Sequence, residues 1–245
     1  MSATTEKTVR EWALEVPNAT RVFERLGIDY CCGGQRSLEE ACAAAKLSME
    51  FVLENLQNAS QPVDKEEHDW QGGMLTELID HIKKTHHKYT REEIARLQPL
   101  LDKVCKVHGN NHSELLEIRE VFGGLAAELT AHLMKEEMIL FPYVMRVEES
   151  VMQGEPALPA PFGTVQNPVH AMMHEHDAAG EALRKMREQS HDYAVPADGC
   201  FSYGTLYQAL EAFESDLHQH IHLENNILFP RAVELENAAR KISVE

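Results

Sequence analysis

Along much of the chain, apolar residues return at alternating intervals of four and three. One run reads Ile118, Phe122, Leu125, Leu129, His132, Glu136 and Ile139. Another reads Leu206, Leu210, Phe213, Leu217, His220, Glu224 and Ile227, each residue 88 positions after its counterpart. Met172, His176, Ala179, Leu183 and Met186 repeat the spacing, and His87 stands in phase with Ile94, Leu97 and Leu101. A helical turn puts each set on one stripe, which other helices must cover. The pattern predicts four long helices at about 74–104, 114–148, 168–189 and 203–238. KVHGNNHS, the proline-rich GEPALPAPFGTVQNP and SHDYAVPADGC separate them. They pair as two helical hairpins built on one repeated pattern. Strand signals are almost absent, so the expected fold is all-α, with an up-down-up-down four-helix bundle.

Shorter helices come first. Val9–Val16 is stopped by Pro17, and a second helix runs to Arg25–Leu26, with Gly27 suited to a left-handed C-terminal position. Ser37 and Glu40 fit a capping box for a third, SLEEACAAAK, and Ser48–Asn58 makes a fourth. Residues 1–60 read as a small helical N-terminal domain, 61–72 as a polar linker and 73–245 as the bundle. Pro142 and Pro230 are expected to kink or end their helices.

Composition narrows the classes. The formal charge is −17, from 23 Lys+Arg against 40 Asp+Glu, which repels phosphate backbones and argues against nucleic acid. The N-terminus has no apolar signal core and no apolar run reaches spanning length, so a soluble cytoplasmic protein away from membranes is expected. The cysteine count is five, and Cys31 and Cys32 are adjacent, a pair that could join only through a strained ring. A secreted disulfide framework is therefore excluded.

The chemistry lies on the stripes. Both copies of H-x3-E, His132 with Glu136 and His220 with Glu224, face the core and are followed by I-L-F-P. Ionisable groups buried on two stripes are costly without partners, and a bound cation resolves the cost. Residues four apart lie one turn apart and can reach one ion, and nitrogen with carboxylate oxygen suits iron, manganese or zinc. His176 faces the same core, with either His87 or His86, which is in phase with Ile79 and Ile82. Glu136 and Glu224 can bridge two ions, as bundle carboxylates do, leaving positions open for an exogenous ligand. His108 is a further ligand, a gate or a helix cap. Glu128 and Glu175 are either hydrogen-bond partners of the ligands or exposed helix glutamates. His68, His81, His112, His170, His174, His191, His218 and His222 read as surface residues, and Cys42, Cys105 and Cys200 as packing.

DYCCGG at 29–34, HLMKEEMILFP, EHDAAG at 175–180 and HIHLENNILFP resemble the repair-of-iron-centres family, also called the YtfE or ScdA proteins, over nearly the whole chain. The resemblance implies a hemerythrin-like bundle holding two non-haem iron ions with an oxo or hydroxo bridge. It implies the ligands His87, His132, Glu136, His176, His220 and Glu224, favouring His87 over His86, with His108 as a family histidine near the site. It places Cys31 and Cys32 in the N-terminal signature as redox or iron-transfer groups. HHKYTREEI departs from relatives that carry a further histidine near Thr90. The implied activity is repair of iron–sulfur clusters damaged by nitric oxide or oxidative stress, by supplying iron. The partners are then damaged iron–sulfur proteins and the diatomics NO and O2, and a homodimer is compatible with it. Nitric oxide reduction at the same metals, or a hemerythrin-like dioxygen or NO sensor, is the alternative. An oxidase fits less well, since histidines outnumber the bridging glutamates.

Overall fold

The apolar stripes become helices in the computed structural model, which describes residues 7–59, 70–155 and 159–242. Four short helices come first: α1 Val9–Glu15, α2 Ala19–Leu26, α3 Leu38–Ala44 and α4 Met49–Ala59. The Ser37 hydroxyl accepts the Glu40 N–H and Glu40 accepts the Ser37 N–H, which starts α3. Gly27 closes α2 at φ +65°. A second capping box, Thr8 with Glu11, opens α1; T-x-x-E stands in the sequence as TVRE and was not expected. These helices bury a core of their own around Val9, Phe23, Leu38, Val52 and Leu56.

The long helices follow. The first is α5 Leu75–Ile82, a π-turn Lys83–His87 and α6 Lys88–His108. The second is α7 Glu114–Lys135, a π-turn Glu136–Leu140 and α8 Phe141–Gln153. The third is α9 Gln166–Gln189, and the fourth is α10 Phe201–Leu223, a π-turn Glu224–Leu228 and α11 Phe229–Ile242. α6 packs on α7 and α10, and α9 on α7 and α10, which closes the bundle.

Pro142 and Pro230 neither end nor break their helices, which run on to Gln153 and Ile242. Within each π-turn the ladder widens by one residue, so the Phe141 N–H reaches the Glu136 carbonyl and the Phe229 N–H reaches that of Glu224. The proline then falls at the start of the next α segment, where its missing N–H costs least. The same slip turns Ile139 outward, 49% exposed, although the four–three spacing put it on the core stripe. Leu140 and Phe141 fill the core instead. Ile227 stays buried, in the apolar cluster against which Leu14 of α1 packs.

A layer of polar residues divides the bundle core. On one side lie Leu97, Leu101, Phe122, Leu129, Leu183, Leu210 and Phe213. On the other lie Leu78, Ile82, Phe141, Val144, Met172, Leu228 and Phe229. His87, Glu136, His176 and Glu224 stand between the two on their respective helices.

The repeat reaches further than the H-x3-E motif. Glu148 lies 12 residues after Glu136 and Glu236 lies 12 after Glu224. Glu148 accepts the N–H groups of Leu75 and Thr76 and the Thr76 hydroxyl at 2.6–2.8 Å. Glu236 accepts the Val165 N–H and the hydroxyls of Thr164 and Tyr143. Each hairpin thus satisfies free N–H groups at the start of its first helix with a buried carboxylate from its second.

Candidate metal centre

His132, Glu136, His220 and Glu224 sit one turn apart in pairs on α10, α7 and the π-turns that follow them, and all are at most 2% exposed. His87, at the end of the first π-turn, and His176, in mid-α9, are equally buried. The structure brings these side chains together as two groups. His87, Glu136, His220 and Glu224 form one, and His132, Glu136, His176 and Glu224 the other, with ligand atoms within 4.8 Å of one another. Both glutamates belong to both groups. His87 Nε2 lies 3.4 Å from Glu136 Oε2, and His132 Nε2 lies 3.3 Å from the same oxygen. His176 Nε2 and His220 Nε2 each lie 3.1 Å from a Glu224 oxygen.

The outer face of the cluster fixes the inner one. His87 Nδ1–H donates to Glu137, His132 Nδ1–H to Glu175 and His176 Nδ1–H to Asn225, each at 2.8 Å. A neutral imidazole so held turns its Nε2 lone pair inward. His132 Nε2 and His176 Nε2 then face each other at 3.1 Å. Both Glu136 oxygens, Glu224 Oε2 and His87 Nε2 are buried without a hydrogen-bond partner among the described residues. Unpaired buried acceptors aimed at one point are unfavourable, and a cation at that point satisfies them all. This donor set fits non-haem iron.

The protein's own electrostatics are strained in the same place. Burial, with Glu224 beside it, pushes the Glu136 carboxyl up to about 7. Burial and the neighbouring His176 pull His132 down to about 4. Burial also opposes the charge of His87, yet Glu136 and Glu224 outweigh it and raise that imidazole to about 10. Glu224 is held well below the usual carboxylate range, its burial overcome by His220 and His176. Identical side chains a few ångströms apart are driven in opposite directions, because each glutamate and histidine of the cluster answers to different near neighbours.

The remaining candidates divide. Glu175 holds His132 and also pairs with Lys135. Glu128 is exposed and belongs to neither group. His108 lies outside both groups as well; its Nε2 meets Cys200 Sγ at 3.1 Å. Cys200 is exposed at the start of α10 rather than packed, while Cys42 and Cys105 are buried. His86 is buried and bonded to Asp216. Of the histidines read as surface residues, His222 is 7% exposed and bonds Asn226, and His218 pairs with Glu24 of α2. His68 falls outside the described residues.

Cys31 and Cys32 lie against the centre. Cys32 Sγ is 3.6 Å from the His176 carbonyl and lies beside Gly180, one turn on. Their sulfurs are 3.8 Å apart; the contact drives the Cys31 thiol up and Cys32 down. Asp29 accepts the N–H groups of Cys31, Cys32 and Gly33, shaping the loop. Gly34 lets the loop approach α11's preceding turn, for a Cβ there would stand 3.1 Å from Asn226 Oδ1. Asn225 Nδ2 donates to the Cys31 carbonyl and Asn226 Nδ2 to that of Tyr30. Arg10 donates to the Asn226 carbonyl. Sequence reasoning missed Asn225 and Asn226. The signal was the difference between ENN after His220 and EEM after His132.

A helical bundle with two histidine–glutamate groups across its core defines a hemerythrin-like cation-binding protein. Residues 78–232 match the hemerythrin HHE cation binding domain, and residues 5–60 match ScdA_N, a domain of unknown function. The chain is 34% identical over 229 residues to a probable iron-sulfur cluster repair protein of Haemophilus influenzae, covering 93% of this chain and 97% of that one. It is similar to the same extent to iron-sulfur cluster repair proteins YtfE of Escherichia coli and Citrobacter koseri. The chain belongs to this family, the YtfE, ScdA or repair-of-iron-centres proteins. Among the described residues no helix is long and apolar enough to cross a membrane.

Proposed function

We propose that this chain restores iron–sulfur clusters damaged by nitric oxide or oxidants, using iron held in its bundle. The observation that carries the reading is the pair of buried groups sharing Glu136 and Glu224, their inner nitrogens and oxygens converging without partners. His87, His132, His176 and His220 are the nitrogen ligands, and the two glutamates bridge. Two iron ions with an oxo or hydroxo bridge complete the cofactor. Iron held by these residues would supply a site for diatomic ligands and a store of metal for transfer.

The chain's own groups do the rest. Glu137, Glu175 and Asn225 hold three of the imidazoles in one tautomer. Apolar layers above and below keep bulk water from competing. Cys32, lowered by its contact with Cys31, offers a thiolate beside His176 for passing iron or electrons outward. The named activity of the relatives supports iron–sulfur proteins as partners. Residues 1–60 act as a helical domain docked on a bundle of residues 73–245 in the cytoplasm.

The test takes a [4Fe–4S] dehydratase inactivated by nitric oxide. The reduced protein restores its activity, and Glu136→Leu does not. Free ferrous iron with a thiol, at matched iron, is the comparison. If free iron repairs as fast, the repair reading falls. Rapid consumption of nitric oxide without cluster recovery assigns nitric oxide reduction instead.

A further inference from the structure

The two ligand groups have different surroundings. Around the His132–His176 position both imidazoles have an outer acceptor, Glu175 and Asn225. Around the His87–His220 position only His87 has one, Glu137. His220 Nδ1 is buried and has no hydrogen-bond partner among the described residues. An outer acceptor fixes the ring and raises the basicity of its inner nitrogen; losing one weakens metal affinity by about 10–100-fold.

The neighbours differ too. The His132–His176 position is buttressed by the N-terminal loop, through Asn225 on the Cys31 carbonyl and Cys32 on the His176 carbonyl. Behind the other position the His220 ring lies parallel to that of His86, with centroids 5.6 Å apart. His86 in turn lines a cavity of about 410 Å³ between the bundle and α1–α2, together with His81, His222 and Glu15. Imidazole and carboxylate groups suit a divalent cation in transit, and this cavity has them where the weaker ligand stands.

We propose that the two metal positions are not equivalent: the one between His87 and His220 yields its iron first, toward the cavity behind His86. The inference rests on the repair reading in needing iron at both positions. Release is ligand exchange without electron transfer. The bonds from His220, His87, Glu136 and Glu224 break in turn, each electron pair staying on the protein's nitrogen or oxygen, as the donors of an external chelator replace them on the ferrous ion.

Crystals of the reduced iron-loaded protein, soaked briefly in a ferrous chelator, read this out by anomalous scattering at the iron edge. The expected result is density lost between His87 and His220 while it persists between His132 and His176. The reverse order overturns the proposal and assigns the exit to the cysteine pair; equal loss overturns it as well. Unsoaked crystals without two iron peaks refute the di-iron reading instead. In solution, chelation should be biphasic, with one iron in each phase and rates about tenfold or more apart. Asn225→Ala leaves each position with one unsupported imidazole, so its phases should converge. Phases that stay as far apart as in the parent contradict the argument from outer acceptors.

Discussion

The two hairpins repeat one pattern and part company just after their shared glutamates. Both carry H-x3-E, a π-turn and a proline, and both cap their own first helix with a glutamate 12 residues downstream. After Glu136 come Glu137 and Met138; after Glu224 come Asn225 and Asn226. Glu137 and Asn225 do the same work, each holding the Nδ1–H of a histidine on the neighbouring helix. Met138 is 72% exposed, whereas Asn226 is buried and bonds Tyr30 and His222. The shared features build the His–Glu cluster and the helix caps; of the two differing positions, Asn225 holds His176 and the N-terminal loop together, and Asn226 serves docking of the N-terminal helices.

Substituting the shared glutamates should have the largest effect. Glu136→Leu and Glu224→Leu should each lose their iron while far-ultraviolet circular dichroism stays helical, because either change removes a ligand from both groups and unbalances the buried charge. Full iron content in either variant breaks the equivalence of the hairpins. Next come the capping carboxylates. Glu148→Gln and Glu236→Gln should each destabilise by about 1.5–3 kcal/mol in chemical denaturation, the worth of hydrogen bonds to a buried charge. A large effect from one and none from the other would mean that the two caps are not counterparts.

The diverged position gives a smaller and more local effect. Asn226→Met, which copies the first hairpin, should keep its iron and expose residues 7–59 to faster proteolysis. It removes two buried hydrogen bonds, to the Tyr30 carbonyl and to His222, about 1 kcal/mol each. Unchanged proteolysis would place the docking energy in Arg10 and the Tyr30 ring instead. The smallest effect lies at the turns. His108 bonds the exposed Cys200 and lowers its thiol below the usual value, so more of it is thiolate near neutral pH. His108→Ala should move the pH profile of Cys200 alkylation to higher pH, and an unmoved profile would show the contact to be idle.

Much of this was legible in the residues. The four–three spacing located the long helices, and the offset of 88 joined their two H-x3-E motifs, because bundle packing constrains one stripe per helix. Spacing alone could not choose between His86 and His87. Both are buried in the π-turn; the family resemblance favours His87, and the fold sets His87 in the cluster with Glu136 and Glu224 and His86 behind His220. The π-turns leave no compositional mark, since they are a one-residue slip; they carry Ile139 off the core stripe and let the helices run on past Pro142 and Pro230. His222 and His218 looked like surface residues because the surface that covers them comes from α2 and the loop at Tyr30, distant in sequence.

The central claim is that the two hairpins together hold a pair of irons. Mössbauer spectroscopy with an iron count on protein grown in iron-57 tests it most directly. About two irons per chain are expected, coupled antiferromagnetically to a diamagnetic ground state when oxidised, as an oxo bridge between two ferric ions gives. A single paramagnetic iron, or one zinc with no iron, would contradict it.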